Sequence, residues 1–247
     1  MEVPEGEVDY VVHSLFAPAP LPEMEVWFRK ATGRLVAIAR EKRSKGALLC
    51  STGAVYKNDS GGPIPEDAAR FGAGDPLSYP RIRSQVEDDW LSGLQSAETT
   101  ATLIRGFAFV GPRFPLDGQF AIGNFLRDAL SGGPIVVRGD GTSIRSYLHA
   151  ADLAIRLWFV LLAGKAGEIF NVGGSEPITI GQTAQTVADC LCPSEGVRIL
   201  GEAGSFSHYV PSTSRIDQSF HLPTPIPFRE AILRTAHWLA PAGRNIP

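Results

Sequence analysis

The sequence predicts an α/β protein built on a parallel sheet with helices on both faces. Two observations predict it. Short apolar runs rich in β-branched residues alternate with longer stretches of helical spacing. The runs are apolar at successive positions, as strands are when helices cover both sides. An order of strand, helix, strand, helix, strand then calls for parallel pairing through right-handed crossovers.

Val8-Asp9-Tyr10-Val11-Val12-His13 reads as the first buried strand, and a Pro-broken loop follows over Phe16–Pro22. Residues 24–43 have helical spacing, marked by Trp27, Leu35, Val36 and Ile38. Ala47 to Thr52 is the second strand. The Gly, Pro and Asp content of 57–78 predicts a long surface loop. Ser78-Tyr79-Pro80 opens a helix to about Ser96, with Pro well placed at a helix start. Ala101 to Val110 is the third strand. Helices are expected at 120–131, 152–162, 183–192 and 228–240, and strands at 134–139 and 169–172.

The chain's 247 residues can bury a proper core, and its 44% apolar and 20% charged content is that of an ordinary globular protein. A net charge of −3 gives no case for nucleic acid or an anionic membrane as partner. No apolar run is long enough to span a bilayer. The acidic opening lacks the basic flank and apolar stretch of a signal peptide, so a cytoplasmic location is expected. Cys50, Cys190 and Cys192 have no framework spacing and read as core or helix-end thiols. His13, His149 and His208 lack metal-ligand spacing and read as packing or surface residues.

Several segments, in order, resemble the extended short-chain dehydrogenase/reductase family, the sugar-nucleotide epimerases and dehydratases. Residues 8–13 resemble the family's fourth sheet strand, and Ser51-Thr52-Gly53-Ala54-Val55-Tyr56 its catalytic Ser/Thr strand. Tyr79 follows Thr52 by 27 residues, close to the family interval. Arg105 to Arg113, RGFAFVGPR, resembles the corner that enters the substrate domain. Gly139-Asp140-Gly141-Thr142, Arg145-Ser146-Tyr147, Asp152 and Phe170-Asn171-Val172-Gly173 resemble later family stretches, and Thr213-Ser214-Arg215 through Trp238 its closing helix.

The resemblance implies a partial Rossmann-like parallel sheet with helices on both faces plus a small α/β substrate lobe. It assigns 1–111 and 149–173 to the first, and 112–148 and 174–247 to the second. No Gly-rich turn precedes the run at 8–13, although such a turn and its helix hold the cofactor pyrophosphate in the family. Three strands and two helices of the family pattern are therefore expected to be absent, and no cofactor is expected for this chain alone, where the family uses NAD or NADP. The strand at 8–13 would then be an apolar sheet edge, covered by a second copy or a partner chain.

By resemblance, Thr52 hydrogen-bonds the reacting oxygen and Tyr79 is the general acid/base. An ordinary phenol is a poor base at neutral pH and needs a nearby cation. The family Lys, four residues after the Tyr, is Arg83 here, one helix turn from Tyr79. It supplies positive charge, but it is wider and planar, no neutral exchange for a ribose-binding Lys. Gly53 and Ala54 stand where 4,6-dehydratases carry an Asp-Glu pair, which argues against that reaction. Ala108 replaces a substrate-contacting Asn, and Lys57 replaces a Gly. Arg145 matches the family Arg that grips the substrate diphosphate; Asn124 and Arg215 are further substrate-binding candidates. Asp152 reads as the N-cap of a helix from 153.

Three functions follow. The first is a repurposed enzyme of the superfamily using the Tyr79/Thr52/Arg83 cleft for a non-redox step on a small molecule such as a nucleotide sugar: isomerisation, cyclisation or elimination. The second is an NAD(P)-dependent epimerase or reductase, truncated or completed in trans. The third is a non-catalytic partner of an intact paralogue. Independent loss of the Lys and of the Gly at position 57 favours the first and third over a clipped dehydrogenase.

Overall fold

The structure, a computed structural model, describes residues 5–15, 20–57, 61–202 and 206–240. The acidic start at 1–4, part of the Pro-broken loop at 16–19, part of the long loop at 58–60 and the tail at 241–247 lie outside the described residues. The order is β1 (Tyr10–His13), α1 (Leu21–Glu41), β2 (Gly46–Thr52), α2 (Tyr79–Leu94), β3 (Thr100–Gly106), β4 (Phe109–Val110), α3 (Ala121–Leu130), β5 (Ile135–Gly139) and β6 (Ile144–Arg145). It continues with β7 (Leu148–His149), α4 (Ala150–Ala163), β8 (Ile169–Val172), β9 (Ile178–Thr179), α5 (Ile180–Leu191), β10 (Val197–Glu202), β11 (His208–Tyr209), α6 (Ser214–Ser219) and α7 (Phe228–Leu239).

The main sheet has the order β1-β2-β3-β8 and is parallel throughout. Its two faces explain the unbroken apolar runs. Leu49 and Leu103 point into a core with Phe28 of α1 and Ile82 and Trp90 of α2. Their neighbours Leu48 and Ile104 point the other way, against Val160 of α4 and Phe220. Among the described residues nothing pairs with the outer edge of β1, and the strand is not buried on both sides as expected: Val11 and His13 face the core, while Tyr10 and Val12 on the other face are 40% and 45% exposed.

The second half packs α3, α5 and α7 around the short β10–β5 pair, through Phe125, Leu126, Val187 and Ile232. Small pairings lace the halves together. The strand expected over 101–110 ends at Gly106, and the chain leaves the sheet so that β4 pairs with β7. β11 runs parallel to β6, which is antiparallel to β9.

Three more expectations need correction. α4 starts at Ala150 rather than 153, and its cap is His149, whose Nδ1 accepts from the Ala151 N–H at 3.2 Å. Asp152 is not the cap. It lies buried in the first turn and accepts from the Ile226 N–H at 2.9 Å, tying α4 to the approach to α7. α1 starts at Leu21, within the expected loop, because Pro22 fits a helix's first turn. The loop after β2 is no plain surface loop, because Ile64 and Glu66 are buried and Ile64 bridges to Pro211.

Candidate active site

Thr52 ends β2, and its Oγ1 accepts from the Ala54 N–H at 3.2 Å, capping a single turn of 3-10 helix over Gly53–Val55. Glycine is required at 53. A Cβ there would lie 2.5 Å from the Phe107 ring. Across Phe107 lies Tyr209, with ring centroids 4.5 Å apart. The Tyr209 hydroxyl lies beside the Thr52 side chain, and burial pushes its pKa up to about 12. The Arg145 guanidinium sits 5.8 Å from the Tyr209 ring centroid and donates to the carbonyls of Ile144 (2.7 Å) and Ser207 (3.2 Å).

Tyr79 is the first residue of α2, held there by Ser78, whose Oγ accepts from the Arg81 N–H at 3.4 Å. It lies within electrostatic range of both Tyr209 and Arg83. Thr52, Tyr79 and Arg145 thus meet around Tyr209. Arg83 faces inward. Its Nη2 donates to the Cys50 carbonyl at 2.6 Å, its guanidinium lies 4.8 Å from the Phe28 centroid, and its Nε has no hydrogen-bond partner. Burial lowers the Arg83 pKa. Beside it His13 shares a hydrogen bond with the Thr32 hydroxyl at 3.1 Å; burial, and then the Arg83 charge, lower its pKa to about 4. Burial pushes the Cys50 thiol to about 11.

Below Thr52 lies a buried polar network. Glu87 of α2 accepts from the Ser51 hydroxyl (2.6 Å), from Arg70 Nη1 (2.8 Å) and from Arg105 Nη2 (2.9 Å). Arg105 also donates to the Tyr56 hydroxyl (2.7 Å) and the Glu66 carbonyl (2.8 Å), and Tyr56 donates to Asn171 Oδ1 (2.7 Å). Burial alone would lower the Arg105 pKa; the bond to Glu87 and its charge turn the net shift upward.

The remaining candidates lie apart. Asn124 lines a cavity of about 520 Å³ with Arg127, Arg138, Asp140 and Ser143. Its amide is bound within its own corner, donating to Gly118 O and accepting from Arg127. Arg215 on α6 lies 3.7 Å from Glu66 and donates to Ile169 O; it does not line that cavity. Sequence reasoning missed Tyr209, Glu87 and Arg105 as parts of the site. Glu87 had a signal, since Tyr79, Arg83 and Glu87 follow one another at helix-turn spacing. Tyr209 had none, because only the tertiary fold brings it to Thr52.

The model of the NAD dependent epimerase/dehydratase family matches residues 26–173. The chain belongs to that family. A UDP-N-acetyl-alpha-D-glucosaminuronate decarboxylase of Bacillus cytotoxicus is 30% identical over 159 residues, 62% of this chain and 49% of that protein. A UDP-glucuronic acid decarboxylase of Arabidopsis thaliana is 26% identical over 210 residues, 78% of this chain and 59% of that one. The chain therefore spans between about half and three-fifths of these curated relatives. A dTDP-glucose 4,6-dehydratase of Streptomyces niveus is also similar, at 27% identity over 46% of this chain and 34% of that protein.

Solved structures share the fold. A UDP-N-acetylglucosamine 4-epimerase from Methanobrevibacter ruminantium, in complex with UDP-N-acetylmuramic acid, superposes with a TM-score of 0.81 at 24% identity, covering 93% of this chain and 76% of that one. A UDP-glucuronic acid 4-epimerase from Bacillus cereus, in complex with UDP-glucuronic acid and NAD, gives 0.77 at 18% identity, covering 94% and 75%.

The family name implies NAD. Among the described residues no Gly-rich strand-to-helix turn lies beside β1. Arg83, four residues after Tyr79, is turned onto Cys50 and Phe28 and is only 3% exposed. The described residues do not by themselves make up a dinucleotide site. No described helix is long and apolar enough to cross a membrane.

Proposed function

We propose that this chain binds a nucleotide sugar across its second half and moves a proton at the sugar with Thr52 and Tyr79, in a non-redox step. The observation that supports the reading is the placing of Thr52, Tyr79 and Arg145 about the buried Tyr209, with the Arg145 guanidinium 5.8 Å from its ring centroid. It sets two proton-handling hydroxyls beside a cation suited to a diphosphate. The inward-turned Arg83 supports a step that asks nothing of it at a ribose. Asn124, Arg127 and Arg138, which line a separate cavity, would meet the nucleotide end. Gly53, closed off by Phe107, leaves no room for the carboxylate a 4,6-dehydratase needs there. Relatives that act on UDP-sugars make a uridine diphosphate the first choice of carrier. The free edge of β1 would be covered by a second copy or a partner chain, since an open apolar edge invites pairing.

The test is calorimetric titration with UDP, UDP-glucuronic acid and UDP-N-acetylglucosamine, followed by NMR detection of deuterium entering the sugar from heavy water. Binding of at least one UDP-sugar is expected. Tyr79→Phe should slow exchange by roughly 100-fold with the fold intact, the usual effect of removing a positioned acid/base. No binding at millimolar sugar nucleotide, or full exchange in Tyr79→Phe, would overturn the reading.

A further inference from the structure

We propose that Glu87 is a positioning residue: it sets the distance between Thr52 and Tyr79 and so governs recognition of the sugar, apart from the nucleotide. The proposal rests on the nucleotide-sugar reading above. The two residues sit on separate elements, Thr52 at the end of β2 and Tyr79 at the start of α2, and the 3-10 turn and a long loop separate them in the chain. Something other than the backbone between them must hold their spacing. Glu87 is on α2, two helix turns past Tyr79 on the same face. Its Oε1 takes the hydroxyl of Ser51, the residue next to Thr52, at 2.6 Å. Glu87 therefore joins the helix of Tyr79 to the strand of Thr52 at the residue next to Thr52, one residue nearer than the Arg83 bond to the Cys50 carbonyl.

The rest of the network stops that joint from moving. Arg105 on β3 holds Glu87 through Nε and Nη2 and reaches the Tyr56 hydroxyl through Nη1, so it grips both ends of the Ser51–Tyr56 segment that contains Thr52. Arg70 binds the same carboxylate and also Ser84 and Asp88, pinning the loop to α2. Glu87 and Arg105 are each 1% exposed. A buried ion pair adds little net stability over an apolar pair of the same shape, but it fixes geometry, because its hydrogen bonds are directional and a displaced charge finds no water. The cavity lined by Asn124 and Arg138 shares no residue with this network. Displacing Thr52 from Tyr79 should therefore weaken contacts to the sugar and spare those to the nucleotide.

The experiment measures affinity for UDP and for the best-bound UDP-sugar in wild type, Glu87→Gln, Ser51→Ala and Leu94→Ala. Leu94 is buried farther along α2 and is a core control that lowers stability without touching the carboxylate. Ser51→Ala is expected to keep UDP affinity within about 2-fold and to weaken the UDP-sugar by roughly 5- to 10-fold, the scale of one typical lost hydrogen bond. Glu87→Gln should do the same or more. Leu94→Ala should lower the melting temperature and leave the ratio of the two affinities unchanged. If Glu87→Gln fails to fold, Ser51→Ala decides alone. An unchanged ratio in Ser51→Ala, or an equal change in Leu94→Ala, overturns the positioning role while the nucleotide-sugar reading stands. A wild type that binds neither ligand overturns the nucleotide-sugar reading, and this proposal with it.

Discussion

Two arginines, Arg83 and Arg105, are both buried beside the end of β2 that carries Thr52, yet they live in opposite surroundings. Arg105 meets a carboxylate with two of its nitrogens and neutral oxygens with a third, and its pKa is raised. Arg83 has one carbonyl and the face of Phe28, leaves Nε unpaired, and its pKa is lowered. Burial is common to both; the partner decides the sign. The difference divides the site into a rigid half beneath Thr52 and a strained half beneath Tyr79. An unpaired buried donor is costly and persists where surrounding packing enforces it.

The sharpest way to break that comparison is to remove each charge in turn. Arg105→Met should cost about 3–5 kcal/mol in urea denaturation, because it takes from the buried Glu87 carboxylate its fully buried cation and leaves it only Ser51 and the half-exposed Arg70. The same change at position 83 serves as the counterpart at the end of the series. A loss below about 1 kcal/mol for Arg105→Met would show that the Glu87 network is not held as described.

The next effect is a pH dependence seated in the strained half. His13 has a folded-state pKa of about 4, against 6.5 for the ordinary imidazole. Between those values the unfolded chain binds a proton that the folded chain does not, so stability falls as pH falls. The contribution is whole above pH 6.5 and declines by roughly 3 kcal/mol by pH 4. His13→Asn should flatten the stability profile over that window. A wild-type profile already flat from pH 6.5 to 4, after allowing for the carboxylates, would refute the burial of a neutral His13.

The smallest expected effect is at Arg83. Arg83→Met should change stability by less than about 1 kcal/mol, since the loss of the Cys50 bond is offset by relief of an unpaired buried cation. It should also raise the His13 pKa, because Arg83 is the second cause of its depression, and so narrow the pH window seen above. Denaturation at pH 7 and at pH 5 checks both statements. A loss at pH 7 as large as that of Arg105→Met would erase the distinction between the two arginines.

Much of the framework was legible in the chain. The runs at 47–52 and 169–172 form strands because strands covered on both faces must be apolar at successive positions, and that leaves a local mark; β1, over Tyr10–His13, has the same apolar run but buries only every second side chain. α2 was legible from Ser78 and Pro80, whose capping roles act within one turn. Asp152 misled because an acidic residue near a helix start fits two uses, and its bond to Ile226, 74 residues away in sequence, gives no local sign. The two-residue strands β4, β6, β7, β9 and β11 were not legible, since a segment of that length has no measurable period.

By itself the sequence determined the order of the longer strands and helices of the parallel sheet and the presence of Thr52, Tyr79, Arg83 and Arg145 at family spacings. These depend on local periodicity and on short motifs, which are written in consecutive residues. Only the tertiary structure decided what those residues do together. It turned Arg83 onto the Cys50 carbonyl and Phe28, brought Tyr209 across Phe107 to Thr52, and gave Arg105 the carboxylate of Glu87. Each of those outcomes depends on which charge or hydroxyl occupies the few ångströms around a buried group. That neighbourhood is assembled from elements far apart in the chain, so it is set by packing, and no stretch of sequence carries it.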